Sequence, residues 1–476
     1  MTREEVISKV QKMLNKNFQI DSVFAPIIEE FFVRLEEQYN FNEQELDKRI
    51  NKYNKLESIN FSEGEVTKKL FMIERKSGQF EYSWRYDDIA RRIKIYNEKI
   101  DVDIDFLKAL LLRDKNEIER FINISFHEHG HLIQFISDNM SSTSGFNRTE
   151  FKPRIDYIEQ LRSGTIVNEI AEIINAELLT KGNLERDVYS GYRRMQPISK
   201  VVFCSFGMTD KKLAELQMKG NGREDYEKYI EEKIGNDYKI PLVSMENALD
   251  TIYATSCKMM NKNFVTGKYL KQNMLAQFKT INTVSNEMIK RRIEKLGKNP
   301  NITELAQIAI DKEKRDESML DALKQFKFQL PIGFKIDIES NIIENIVGKQ
   351  VDINQLQNEI DKVQLKERTE RESTINYDNC ELINRMMQLA QNYDLSKLSL
   401  KNRIELIMCK HLGNIKRMIT EPKVKQLPEK SSATIEEQRK KFVNRINGDN
   451  LLINNNINLT NTKIRQERKE KDEYIR

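Results

Sequence analysis

Three of the four histidines in this chain stand at alternate positions in the run Phe126-His127-Glu128-His129-Gly130-His131-Leu132. Residues four apart share one face of an α-helix, so His127 and His131 can grip one metal ion from consecutive turns. Glu128 stands beside the first of them, where a general base for a zinc-activated water is needed. The pattern is His-Glu-x-x-His, and the chemistry it serves is metal-assisted hydrolysis. The ion polarises a carbonyl, and the carboxylate takes a proton from water and passes it to the leaving amine. His129 lies two positions from each outer histidine on a different helix face, and reads as a residue behind the ligands or on the surface. Gly130 requires no special backbone here, and its missing side chain lets another element approach the helix closely.

Catalytic zinc takes three protein ligands, so the third is sought on a buried helix downstream. The run from Ile166 to Leu179 is apolar on nearly all sides and carries Glu169 and Glu172, three apart and on one face. One of them can bind the metal while the other accepts a hydrogen bond from a ligand histidine. The non-catalytic reading of both is an ion pair with Arg154 or Arg162.

His127-Glu128-x-x-His131 followed by a helix bearing Asn168-Glu169 resembles the gluzincin class of zinc metallopeptidases. In that class two histidines and a downstream Glu, often inside an Asn-Glu pair, hold the metal. The resemblance covers the stretch from the aromatic run near residue 80 to Gly182. It implies His127, His131 and Glu169 as zinc ligands, Glu128 as general base, and hydrolysis of peptide bonds. Some gluzincins place an Asp four residues after the ligand Glu, where this chain has Ile173. Glu172 is then either its substitute or the alternative ligand. The Glu-Leu-Leu ending of the helix also resembles regulatory metallopeptidases that cleave repressors, in which an acid near Glu172 serves. Motif match favours Glu169. No third histidine follows at metzincin spacing. For an oxyanion donor the stretch from Asp187 to Arg194 is the better source, with Tyr192 the first choice; His411 is remote and has no flanking motif. The same ligands also suit Mn, Fe or Co.

Elements must hold these residues in place. Phe80 to Tyr86 alternates aromatic and polar residues as a half-buried strand does, Asp87-Asp88 offers a turn, and Ile93 to Tyr96 reads as a second strand. A helix is expected from about Asp105, broken near Arg113-Asp114-Lys115 and resumed through the histidines to about Ser137. Ser141 to Pro153 reads as a loop. The helix from Thr165 to Thr180 should stop at Lys181-Gly182. Val201 to Phe206 fits a short strand or a helix start. Phe326–Leu330 and Phe334–Ile338 flank Pro331-Ile332-Gly333 as a hairpin. Ile353, Leu356, Ile360 and Val363 keep heptad spacing over too few turns for a coiled coil.

The fold expected is α+β and mostly α, with a zincin-like core, a small antiparallel sheet, an active-site helix and a helical C-terminal extension. Four regions follow: 1–64 an N-terminal helical segment, 65–260 the metallopeptidase core, 261–420 a helical region with the hairpin, and 421–476 a linker and charged tail. The 79 basic and 74 acidic residues leave a net charge of +5, too small to signal nucleic acid. Four scattered cysteines contain no CxxC pair and fit a reducing compartment. No secretory signal and no run of about 20 apolar residues is seen, so a soluble, cytoplasmic setting with no membrane partner is expected, secretion by a route without a cleavable signal remaining open. The partner implied is a protein or peptide substrate. The competing reading is a non-catalytic metal-binding helical interaction protein. A di-iron bundle needs a second Glu-x-x-His, and at His411 the Glu position is Met408.

Overall fold

A computed structural model describes residues 1–420 apart from 16–18, 63–65, 70–71, 76–77, 88, 155, 181–189, 260–263, 327–351 and 373–374. The expected hairpin after Phe326, the helix stop at Lys181-Gly182, and the 421–476 linker and tail lie outside the described residues. The chain divides into two compact units, Met1–Lys416 and Arg417–Arg476. Apart from the last turn of its final helix, every element below belongs to the first.

The chain is mostly helical, with small sheets. Helices α1 (Arg3–Leu14), α2 (Ala25–Tyr39) and α3 (Glu43–Ile50) open it. A four-stranded sheet follows, ordered β1 (Gln19–Ile20), β2 (Leu56–Ser62), β6 (Arg92–Asp103), β5 (Gly78–Asp87), with β5 antiparallel to β6 at its edge. Two strands, β3 (Val66–Lys69) and β4 (Met72–Arg75), pair separately. The turn expected at Asp87 forms because its carboxylate accepts the Ile89 and Ala90 amides at 3.1 and 2.9 Å.

Helices α4 (Asp105–Leu112) and α5 (Lys115–Gln134) meet where expected, because Arg113 adopts a left-handed conformation and Asp114 accepts the Glu117 amide. The histidine helix ends earlier than the sequence suggests. Phe135 turns extended and begins β7 (Phe135–Ser137). The Ser141–Pro153 stretch, expected as a loop, is instead β8 (Ser141–Ser144) and β9 (Asn147–Pro153), which with β7 and β10 (Ile158–Ser163) make an antiparallel meander. Polar Ser and Thr conceal the strands, while cross-strand pairing and the burial of Ser142, Thr149 and Phe151 hold them.

Helix α6 (Thr165–Leu179) starts at Gly164, whose positive φ of 71° suits glycine. The Asp250 carboxylate accepts the Ile166 amide and caps the helix from a distant segment. There follow α7 (Ser190–Arg193), α8 (Gln196–Ser205), α9 (Asp210–Met218), α10 (Arg223–Ile234), α11 (Lys239–Met259), α12 (Phe264–Lys295), α13 (Ile302–Gln325), α14 (Ile353–Glu372), α15 (Cys380–Gln391) and α16 (Leu400–Thr420). Val201 to Phe206 is thus the end of a helix and not a strand. Leu356 of α14 packs against α12 and α13, with Ile360 and Val363 beside it.

Two large hydrophobic cores result, with a smaller third around Leu356 where α12, α13 and α14 meet. The first joins α1, α2, β2, β6, α4, α5, α15 and α16, so the expected N-terminal segment shares a core with the histidine helix. The second joins most of α6 to α8 and α9 to α13. Helices α5 and α6 pack on each other along the seam between the two.

Candidate metal centre

Helix α5 is buried along its whole second half, from Phe121 to Ile133. Its apolar residues Ile118, Phe121, Ile122, Phe126 and Leu132 enter the first core and fix its rotation. That rotation turns His127 and His131 toward α6. Their Nε2 atoms stand 3.0 Å apart, with the rings nearly perpendicular at 89°. Glu169 on α6 closes the triangle, its Oε2 lying 3.3 Å from His127 Nε2 and its Oε1 3.6 Å from His131 Nε2. Ligand atoms held tetrahedrally at about 2.0–2.1 Å from zinc stand about 3.3 Å from one another. The two Glu169 oxygens face different imidazoles, and one ligand atom from each residue lies within 4.8 Å of the others, close enough to share a single ion.

Burial disfavours a charged His131, yet the facing Glu169 carboxylate, aided by Glu172 and Glu128, lifts it to about 9. Burial likewise opposes charge on Glu169, and His131 and His127 overcome it and hold the carboxyl well below its usual range. Two imidazoles and one ionised carboxylate suit a dication. Among the described residues this is the group of histidines and acids close enough to share an ion.

Glu128 projects from the same helix, and its Oε2 accepts the Phe80 amide of edge strand β5 at 2.7 Å. This carboxylate is therefore held by the strand expected to flank the site. Tyr192 lies in α7 with its ring stacked on Tyr253 of α11, centroids 5.0 Å apart. The negative charge of Glu169, with burial and a hydrogen bond to Tyr253, raises its phenol well above the ordinary range. Tyr192 thus keeps its proton at neutral pH and remains a donor.

The alternative ligand Glu172 is turned away from the triangle. Its Oε2 accepts from Gln134 at 2.6 Å, and its Oε1 lies against Gly130, where any Cβ would overlap it. The close approach expected at Gly130 is made by this carboxylate. Burial outweighs the pull of His131, His127 and Gln134 and raises Glu172 to about 7. Arg154, offered as an ion-pair partner for these acids, binds Glu159 instead. Ile173 is buried in the second core.

His129 is neither behind the ligands nor on the surface. It sits in the first core, its Nδ1 2.7 Å from the Tyr53 hydroxyl, between the rings of Tyr53 and Phe31. Burial drives it down to about 3, so it stays neutral.

Sequence reasoning missed the residues that hold Asn168. Its Oδ1 accepts the Phe146 amide at 2.8 Å and Gln217 Nε2 at 3.0 Å, and its Nδ2 reaches His131 Nδ1 at 3.4 Å. Gln217 continues to Asn175, which accepts from Tyr39. These partners come from four separate elements, and no local pattern marks them. Comparison of the chain with family models, characterised proteins and solved structures gives no match.

Proposed function

We propose that this protein is a zinc-dependent metallopeptidase of gluzincin type with a zincin-like core, hydrolysing peptide bonds in protein or peptide substrates. One observation carries the reading: His127, His131 and Glu169 converge with their ligand atoms within 4.8 Å of one another, and a carboxylate, Glu128, stands on the residue after His127. Zinc, when bound there, supplies a Lewis acid and an activated water. Glu128 takes the proton of the attacking water and returns it to the leaving amine. Tyr192 donates a hydrogen bond to the oxyanion of the tetrahedral intermediate. A substrate strand pairs with the edge of β5 that is not bonded to β6, beside Glu128.

A cytoplasmic setting belongs to the same proposal, supported by four scattered cysteines with no CxxC pair. Among the described residues no helix is long and apolar enough to cross a membrane.

Metal content of purified wild type and His131→Ala, without added metal, tests the site. Near-stoichiometric zinc that is lost in the variant is expected. Glu128→Gln should keep the zinc and stop cleavage of a denatured-protein or peptide-library substrate followed by mass spectrometry. A Glu128→Gln protein that cleaves as well as wild type rules out this mechanism. A metal-free wild type leaves the chain a helical interaction protein.

A further inference from the structure

We propose that the outer face of α16 is a docking surface for an anionic lipid surface. Leu400, Ile404, Ile407, Met408, Leu412 and Ile415 follow one another at helical spacing, and each is 45 to 65% exposed. Apart from the adjacent Ile407 and Met408, successive members are three or four residues apart, so they form one continuous stripe. Scattered apolar residues on a surface are ordinary, but a stripe of six large ones on a single helix marks an interaction site.

The helix cannot turn this stripe inward. Its opposite face is already used, with Asn402, Leu406 and Cys409 buried. Gly413 lies so close to the Leu111 carbonyl that a Cβ there would overlap it. Lys108 binds Glu405, and Lys410 donates to the Gln391 carbonyl, which pins the helix at two further points.

Chemistry selects the occupant. The hydrogen-bonding side chains within the stripe are His411 at its middle and Lys401 near its start, few for a protein interface, which needs about one hydrogen bond per 100–200 Å². Charge selects further. From Leu400 to Lys416 the helix bears Lys401 and Arg403, together with Lys410 and Lys416, which donate to the Gln391 and Arg113 carbonyls but keep their charge, against Glu405, which Lys108 neutralises. A second copy would bring these cations together, so self-association is disfavoured. Anionic headgroups complement them, and a basic helix with an apolar face lies in the plane of a membrane interface. No spanning segment is required for this. The surface is independent of the metal centre, and its test does not depend on catalysis.

The experiment is cosedimentation of the full chain with phosphatidylcholine vesicles, with and without phosphatidylserine, at low and high salt. Binding only to the phosphatidylserine vesicles, weakened by salt, is expected. The double variant Met408→Glu/Leu412→Glu alters only exposed side chains. It should leave the melting temperature unchanged and reduce vesicle binding by about tenfold or more. A separate Met408→Trp reporter should shift its emission to the blue on phosphatidylserine vesicles, above the background from Trp84. Absence of sedimentation with either vesicle assigns the stripe to a protein partner and overturns the proposal. So does a wild-type dimer that the double variant converts to monomer, or vesicle binding that the double variant leaves intact.

Discussion

Helices α5 and α6 carry the same residue types on two faces and use them in opposite ways. On one face His127, His131 and Glu169 stand with their ligand atoms within 4.8 Å of one another. Their mutual attraction lifts His131 to about 9 and holds Glu169 ionised. Away from that cluster, His129 on the opposite face of α5 is pushed down to about 3 by burial against Tyr53 and Phe31, and Glu172, beside Glu169 on α6, is pushed up to about 7 by burial against Gly130. The first pair of residue types favours charge because opposite charges meet. The second favours neutrality because each group is buried without an opposite charge of its own. A motif therefore has a chemical side and a structural side, and helical phase separates His129 from its neighbours while packing separates Glu172 from Glu169.

Alanine substitution should separate the two histidine classes completely. His131→Ala removes one of three ligands, and zinc measured after gel filtration should fall to background while circular dichroism stays helical. His129→Ala should do the reverse. It deletes a packed ring and strands the Tyr53 hydroxyl, costing about 2–5 kcal/mol in urea unfolding, with bound zinc retained in the folded fraction. Zinc loss in a still-folded His129→Ala protein would place this residue at the metal and erase the contrast.

Gly130→Ala probes the contact between the faces at a smaller scale. A methyl group there collides with Glu172 Oε1, so the carboxylate must shift and give up its hydrogen bond from Gln134. About 1–3 kcal/mol of destabilisation is expected, together with weaker zinc retention during dialysis against a chelator, because Glu169 rides on the same helix. A variant as stable as wild type would mean that the Glu172 carboxylate moves aside at no cost.

What the sequence discloses and conceals divides along the same line. The pairing of His127 with His131 is local, four residues on one helix, and is legible without a fold. The break at Arg113 and the strand at Phe80 to Tyr86 are local as well. The choice between Glu169 and Glu172 is not, because it depends on how α6 is rotated against α5. That rotation is set by the second core, by the Asp250 cap and by Asn168, which Gln217 and the Phe146 amide hold. The fate of His129 depends on Tyr53, on the other side of the first sheet in sequence. The strands β8 and β9 escaped because their residues are those of loops, and only pairing with β7 and β10 makes them a sheet.

Glu172→Gln gives the finest test of the contrast. In metal-free protein the folded-state value of Glu172, about 7, lies above its ordinary value of 4.5. The native state thus holds this proton more tightly than the unfolded chain does. Its contribution to stability is complete below about pH 4.5 and is lost as pH rises through about 7, on the order of 3 kcal/mol across that window. Glutamine keeps the shape and the acceptor for Gln134 but has no proton to lose. Urea unfolding with a chelator present should therefore show wild type weakening from pH 4.5 to 8 more steeply than Glu172→Gln, with the variant the more stable at pH 8. Parallel curves would mean that Glu172 is ionised in the fold. The buried carboxylate would then be partnered by His131, and the two faces of the helix pair would be a single electrostatic site.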